Sequence, residues 1–123
     1  MKNDAMKIYQ LCVENADANE QPKMKVNKYG VKEWSLHGKL HRIDGPAIEW
    51  VNGNKNWYLH GKLHREDGPA IEYDGGKEWW LHDVRHANVN AWAKAVLKMH
   101  NKPHDAEAVQ KYVRTILTKD DLI

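Results

Sequence analysis

Lys32-Glu-Trp-Ser-Leu-His-Gly-Lys-Leu-His-Arg-Ile-Asp-Gly-Pro-Ala-Ile-Glu-Trp50 returns as Lys55-Asn-Trp-Tyr-Leu-His-Gly-Lys-Leu-His-Arg-Glu-Asp-Gly-Pro-Ala-Ile-Glu-Tyr73, with 15 of the 19 aligned positions identical. A third copy opens at Lys77-Glu-Trp-Trp-Leu-His82 and then decays. Self-similarity at a period near 23 residues denotes a stacked array of one small supersecondary unit, whose core becomes continuous only through its neighbours.

Within each copy the sharpest local signal is Leu-His-Gly-Lys, at 36–39 and again at 59–62. A His-Gly pair at the centre of a two-residue hairpin loop needs φ > 0 at both residues, which Gly adopts freely and His better than most. The register follows: Leu36 faces Lys39, Ser35 faces Leu40 and Trp34 faces His41. Trp34, Leu36 and His41 then share one side of the sheet, and Ser35 and Leu40 the other. In the second copy Trp57, Leu59 and His64 take the first side, Tyr58 and Leu63 the second. Asp44-Gly45-Pro46 and Asp67-Gly68-Pro69 are turn tripeptides, Ala47–Trp50 and Ala70–Tyr73 short strands, and 51–54 and 74–76 turns back toward the next tryptophan.

The flanks read as helix. Ala5, Ile8, Tyr9, Cys12 and Ala16 form an apolar stripe over residues 4–16, and residues 15–22 form a polar linker closed by Pro22. Val89, Trp92, Ala93, Val96, Leu97 and His100 make a second stripe, with Asn88 as a cap and Pro103 as a breaker. Ala106, Val109, Tyr112, Val113, Ile116 and Leu117 make a third, started by Asp105 and ending near Lys119. The expected architecture is α+β: one N-terminal helix (4–16), an antiparallel β-meander of two and a half hairpin repeats (26–87), and a C-terminal helical pair (88–119). All belong to a single domain, 1–123. The helices are the natural cover for one face of the sheet.

Composition narrows the function classes. Nineteen Lys and Arg against 17 Asp and Glu leave a net charge of +2, neither a nucleic-acid footprint nor an acidic mimic of one. The single cysteine, Cys12, forms no internal disulfide, and no basic-then-apolar leader opens the chain, so a reducing cytoplasm is the expected compartment. No apolar run reaches membrane-spanning length. Six Trp and five Tyr with no Phe suit faces that are apolar on one side and wet on the other.

All eight histidines fall in pairs four apart, 37/41, 60/64, 82/86 and 100/104. On a helix that spacing gathers zinc ligands. Here the first two pairs straddle a hairpin turn and the last is interrupted by Pro103, so no metal and no cofactor is expected. Stacking places His41, His64 and His86 in a cross-repeat row. The structural alternative for each is packing on Trp with a hydrogen bond to the Asp44 or Asp67 turn. Arg42 and Arg65 either pair with those turn aspartates or contact a partner. Glu49 and Glu72 read as outward strand positions. Ser35 is the only serine and Cys12 sits on an apolar stripe, so no activated nucleophile is evident and the protein is not expected to be an enzyme.

The unit Trp57-Tyr-Leu-His-Gly-Lys-Leu-His-Arg-Glu-Asp-Gly-Pro-Ala70 resembles a repeat of small bacteriophage and large-virus proteins, in which Asn usually stands at the position of His60. It is also distantly similar to the MORN repeat, without the Gly-rich spacing of that family. The resemblance covers about residues 26–87. It implies a phage-like context in which a small non-catalytic protein binds and disables a host or defence protein, for example of CRISPR type. It implies no catalytic residue.

The candidate partner-binding residues are therefore His37 and His60 at the turn tips, Tyr58 and Trp80 on the side opposite the Trp34/Trp57/Trp79 row, and Arg42 and Arg65. The alternative is a single-stranded nucleic-acid-binding module using Tyr58 and Trp80 with Lys39, Lys62, Arg42 and Arg65, or a His-based metal-binding module. Open sheet edges and amphipathic helices also suit a homodimer.

Overall fold

Each copy folds back on its His-Gly pair. His37 and Gly38 take φ of 53° and 77°, and His60 and Gly61 repeat them at 52° and 81°. These are the left-handed pairs of a type I′ loop, whose twist matches that of the flanking strands. In the third copy His82 and Asp83 hold the same conformation at 49° and 67°. Asp83 replaces the glycine without losing the turn, because Asp tolerates this region and its carboxylate accepts a bond from the Leu63 N–H at 2.7 Å.

The computed structural model describes residues 20–121; the helix expected over 4–16, with Cys12, lies outside them. The chain runs β1 (Lys23–Val26), β2 (Lys32–Leu36), β3 (Lys39–Leu40), β4 (Ile48–Glu49), β5 (Lys55–Asn56), β6 (Tyr58–Leu59), β7 (Lys62–Leu63), β8 (Ile71–Tyr73), β9 (Gly76–Leu81), β10 (Val84–His86), α1 (Val89–Met99) and α2 (Ala106–Asp121). The main sheet has the order β1-β2-β4-β5-β8-β9-β10, with β3 on β2, and β6 pairs β7. All pairs are antiparallel, in the expected hairpin register: Ser35 faces Leu40, Leu36 faces Lys39 and Tyr58 faces Leu63. The sheet begins at Lys23, where β1 and the turn after it occupy the place of the closing strand and turn of a preceding copy.

The tryptophans explain why one strand serves two neighbours. The Trp34 N–H donates to the Ala47 carbonyl at 2.8 Å, while the Trp34 carbonyl accepts from the His41 N–H at 3.0 Å. Trp57 repeats this with Ala70 and His64, at 2.7 and 3.1 Å. Before the tryptophan the strand pairs with the closing strand of its copy; after it, with the returning arm of the hairpin. Pro46 and Pro69 sit at the entry of the closing strand, where a missing N–H does no harm.

Successive hairpins then overlap like tiles. The Gly61 N–H donates to the Leu40 carbonyl at 2.8 Å and the Arg42 N–H to the Tyr58 carbonyl at 3.2 Å. One copy later the Asp83 N–H donates to the Leu63 carbonyl at 2.9 Å and the Arg65 N–H to the Trp80 carbonyl at 3.3 Å. Within each tile an arginine is the clamp. The Arg65 guanidinium lies 3.8 Å from the centre of the Trp57 ring. It donates to Asp67 at 2.8 Å, to the Pro69 carbonyl at 3.1 Å and to Glu72 at 2.8 Å. Arg42 does the same with Trp34, Asp44, Pro46 and Glu49. Glu49 and Glu72 are thus bound from within rather than simply pointing outward. They also alternate in sign with their cross-strand neighbours along the row Lys32, Glu49, Lys55, Glu72, Lys77, a favourable arrangement across a sheet.

The helices close the array at its third copy. Asn88 caps α1, its side chain accepting from the Ala91 N–H at 2.9 Å. Asn101, at φ 56°, ends the helix, with the Lys102 N–H bonded to the Leu97 carbonyl at 2.9 Å; this is a Schellman motif with Asn in the glycine position. Asp105 caps α2 through the Ala108 N–H at 3.0 Å. Trp92, Ala93, Val96 and Leu97 of α1 and Val109, Val113 and Ile116 of α2 form one core with Trp79 and Leu81. The helices therefore cover the tryptophan side of the sheet at β9 and β10.

The arginine clamp leaves no room above the turn glycine. A Cβ on Gly68 would lie 2.5 Å from Arg65 Cζ. Gly68→Ala is expected to cost about 1–3 kcal/mol through overpacking, measured by urea unfolding. In an Arg65→Ala background the same change should cost little, because its clash partner is gone; an undiminished penalty would rule out the clamp as the cause.

Candidate partner-binding face

Of the expected row of strand histidines, His41 and His64 join copies, while His86 stands opposite Trp79. The His60 N–H donates to His41 Nδ1 at 2.9 Å, and the His82 N–H to His64 Nδ1 at 3.0 Å. The turn rings lean on the strand rings, with centroids 4.4 Å apart for His41 and His60 and 4.2 Å for His64 and His82. The bonds anticipated from these histidines to Asp44 and Asp67 are absent, because those carboxylates hold Arg42 and Arg65. A strand imidazole beside a backbone N–H one copy away has a nearer donor.

Accepting at Nδ1 leaves the proton on Nε2. In the second copy that proton goes to Glu66, 2.6 Å from His64 Nε2, and the other carboxylate oxygen takes His100 Nε2 from the end of α1, also at 2.6 Å. Glu66 is 1 % exposed. The helices also read the backbone here: Trp92 Nε1 donates to the Arg65 carbonyl at 3.0 Å and the Tyr112 hydroxyl to the Glu66 carbonyl at 2.6 Å. Burial alone would raise the Glu66 carboxyl, but the hydrogen bonds and charges of His64 and His100 outweigh it and hold the group below the ordinary carboxylate range. Burial, then the nearby Asp67 and Glu66, push the Tyr112 hydroxyl upward. In the first copy Ile43 stands where Glu66 does, and His41 Nε2 has no hydrogen-bond partner among the described residues. Its pKa falls from 6.5 to about 4, first through burial and then through His60 and His37.

The helices take the tryptophan side at the third copy; the opposite side carries Ser35, Tyr58 and Trp80. Tyr58 and Trp80 are half-buried and stand outside the core cluster that holds Trp79 and Leu81. Burial, then Asp83, raises the Tyr58 hydroxyl. Two further rings share this side, Trp50 and Tyr73, equivalent residues of the two full copies and each 43 % exposed. The register places them two strands apart, or about 9.5 Å. The polar edges of two of these rings are tied down: Trp50 Nε1 donates to Asn56 Oδ1 at 2.6 Å and Trp80 Nε1 to Glu78 Oε1 at 2.9 Å. Rings fixed in this way present a surface with little conformational freedom left to lose on contact.

The six candidate residues do not converge on one point. Tyr58 and Trp80 lie on the open side, and Arg42 and Arg65 on the other, bound within their own loops. His37 and His60 lie at the turn tips, the first bound to Glu20 at 2.9 Å and the second leaning on His41. Burial, then Lys39 and His37, lower the pKa of His60. Sequence reasoning did not single out Trp50 and Tyr73, although an aromatic residue at the same strand end of both copies was the available signal. It also missed the Glu66 network, which was marked by a Glu replacing Ile between otherwise matching copies. Among the described residues no three His, Cys, Asp or Glu side chains gather as a metal-ligand set, and no helix is long and apolar enough to cross a membrane.

Compared with protein-family models, with curated proteins and with solved structures, the chain finds no match in any of the three.

Two predictions follow from the histidine geometry. His41 has its folded pKa, about 4, below its ordinary 6.5, so the stability it contributes is complete above 6.5 and is lost as pH falls toward 4. Between pH 7.5 and 4.5 this loss should reach about 2–3 kcal/mol. His41→Asn keeps an acceptor and does not titrate, so its urea-unfolding free energy should fall less over the same interval; equal losses in both proteins would remove His41 from the account. Separately, Glu66→Ile, which installs the first-copy residue, strands two imidazole N–H groups. It should cost about 3 kcal/mol and speed amide exchange in α1 ahead of that in β4 and β5.

Proposed function

We propose that this protein is a non-catalytic binding module that occludes the surface of another protein with the sheet face bearing Trp50, Tyr58, Tyr73 and Trp80. One observation carries the reading. The two full copies differ at four positions, Glu33/Asn56, Ser35/Tyr58, Ile43/Glu66 and Trp50/Tyr73. The third pair is accounted for by the helix network. The other three lie on the open face, as the register of Glu33 with Ile48, of Ile48 with Asn56 and of Tyr58 with Leu63 requires. Exposure by itself does not explain this pattern, because Lys32/Lys55, His37/His60 and Lys39/Lys62 are exposed and identical between copies. Variation on one face of a repeated scaffold is what recognition of an unrepeated partner needs, and Trp and Tyr are the residues that anchor such contacts.

The resemblance of the repeat to those of small bacteriophage proteins directs the search toward a bacterial host or defence protein, met in the host cytoplasm. A nucleic-acid partner is less well supported, because Arg42 and Arg65, which it would need, are engaged in their own loops.

The test is affinity capture from bacterial lysate with mass spectrometry, comparing the wild type with Tyr58→Ala/Trp80→Ala, Trp50→Ala/Tyr73→Ala and a Lys32→Ala/Lys55→Ala control on the opposite side. The expected result is one specific protein retained by the wild type and the control and reduced at least tenfold by both aromatic double variants, roughly the loss of one hot-spot residue. Full retention by the aromatic variants would show that the face is not the binding site. Co-purification of nucleic acid alone, with salt-sensitive tryptophan quenching by oligonucleotides, would reverse the assignment.

A further inference from the structure

The array ends differently on its two sides. At one, β10 leads into α1 and the helical core. At the other, β1 is the outermost strand of the sheet among the described residues, and all four of its residues are exposed. An outer strand presents a row of backbone N–H and C=O groups that another extended chain can pair with. Alternation sorts its side chains: Lys23 and Lys25 fall on the side of Ser35, and Met24 and Val26 on the side of Trp34. The turn that follows brings Lys28 over the Tyr29 ring at 5.2 Å. Among the described residues Glu20 is bound to His37 and Glu33 stands opposite Lys25, one acid against Lys23, Lys25 and Lys28.

Edge lysines are also a common guard against unwanted strand pairing. A guard, however, has no use for an apolar stripe beside it. Of the eight large apolar side chains exposed among the described residues, three, Met24, Val26 and Tyr29, lie in this stretch of seven residues. Alternating cationic and apolar residues on a free edge describe a template rather than a barrier.

We propose that β1 is a docking edge for an acidic, extended segment of a partner protein, which adds a strand to the sheet with carboxylates beside Lys23 and Lys25 and apolar side chains beside Met24 and Val26. Charge selects this occupant over a second copy of the chain, because two-fold pairing of β1 with itself sets lysine against lysine. The edge is separate from the aromatic face, and the inference does not depend on that face binding anything.

The probe is the peptide acetyl-Glu-Val-Glu-Ile-Glu-Val-amide, titrated into the full chain at low salt and followed by amide chemical shifts, beside its counterpart with Lys in place of Glu. The acidic peptide is expected to shift the amides of Lys23–Val26 and to bind at least about tenfold more tightly than the basic one. Lys23→Glu/Lys25→Glu should invert that preference. The acidic peptide N-methylated at consecutive amides keeps its charge but cannot pair as a strand, and it should bind at least about tenfold more weakly. Shifts confined to other parts of the molecule, or undiminished binding of the N-methylated peptide, would overturn the proposal.

Discussion

A backbone N–H of one hairpin tip donating to the imidazole of the copy before it is the contact on which the array depends. Hairpins of this length are marginal alone, and the closing strands join copies only on one side of each tryptophan. On the other side, the bonds from His60 to His41 and from His82 to His64, with the backbone bonds of Gly61, Arg42, Asp83 and Arg65, set how far each tile overlaps its neighbour. The same requirement explains the residue types. The turn residue must accept positive φ and still bring a ring to lie on the strand histidine. The strand residue must offer an acceptor at the right reach while keeping its other nitrogen protonated for a second use. Histidine in both places meets these demands, which accounts for the pairs four apart at 37/41 and 60/64.

The second nitrogen decides where the array stops. In the second copy His64 Nε2 donates a hydrogen bond to Glu66, and the other oxygen of the carboxylate takes His100 at the end of α1. A buried carboxylate holding two imidazoles ties the helices to the second copy as well as to Trp79 and Leu81 of the third, and the first copy has Ile43 at that place. Trp92 and Tyr112 reinforce the choice by bonding the two carbonyls next to it. The helices thus meet the second repeat at its one buried acid, and their docking commits the tryptophan side of β9 to the core. Only then is the opposite side defined as the open one.

Much of this was legible in the chain itself, and the reasons are local. The His-Gly turns, the strand register and both C-terminal helices rest on short-range rules: positive φ at a hairpin tip, alternation along a strand, apolar spacing with an Asn or Asp cap. The contacts that sequence reading assigned differently are those between copies. Asp44 and Asp67 were the nearest acceptors along the chain for His41 and His64, but Arg42 and Arg65 claim them from two residues away and the histidines turn to the neighbouring tile. Glu49 and Glu72 looked like ordinary outward positions because the arginine that binds each lies seven residues back, across a turn. Which face the helices cover was not readable at all, since both faces carry aromatic residues and only the pairing of Glu66 with His100 breaks the tie.

A repeated scaffold meets a difficulty when it must bind something that is not repeated. Identical tiles offer identical surfaces, and a partner of ordinary shape fits at most one of them. The differences between copies resolve this without disturbing the stack: Tyr58 for Ser35 and Asn56 for Glu33 change what the open face presents, while the strand histidines and turn histidines that join tiles are kept. Trp50 and Tyr73 show the complementary case, an aromatic ring retained in both copies but with a different polar edge, indole in one and phenol in the other. Asn56 then serves two ends, because it replaces a charge on the face and also fixes the Trp50 indole. The face is therefore built from positions that the histidine and backbone hydrogen bonds between copies leave free to vary, and the constraint that makes the array regular is also what confines three of its four differences to one side.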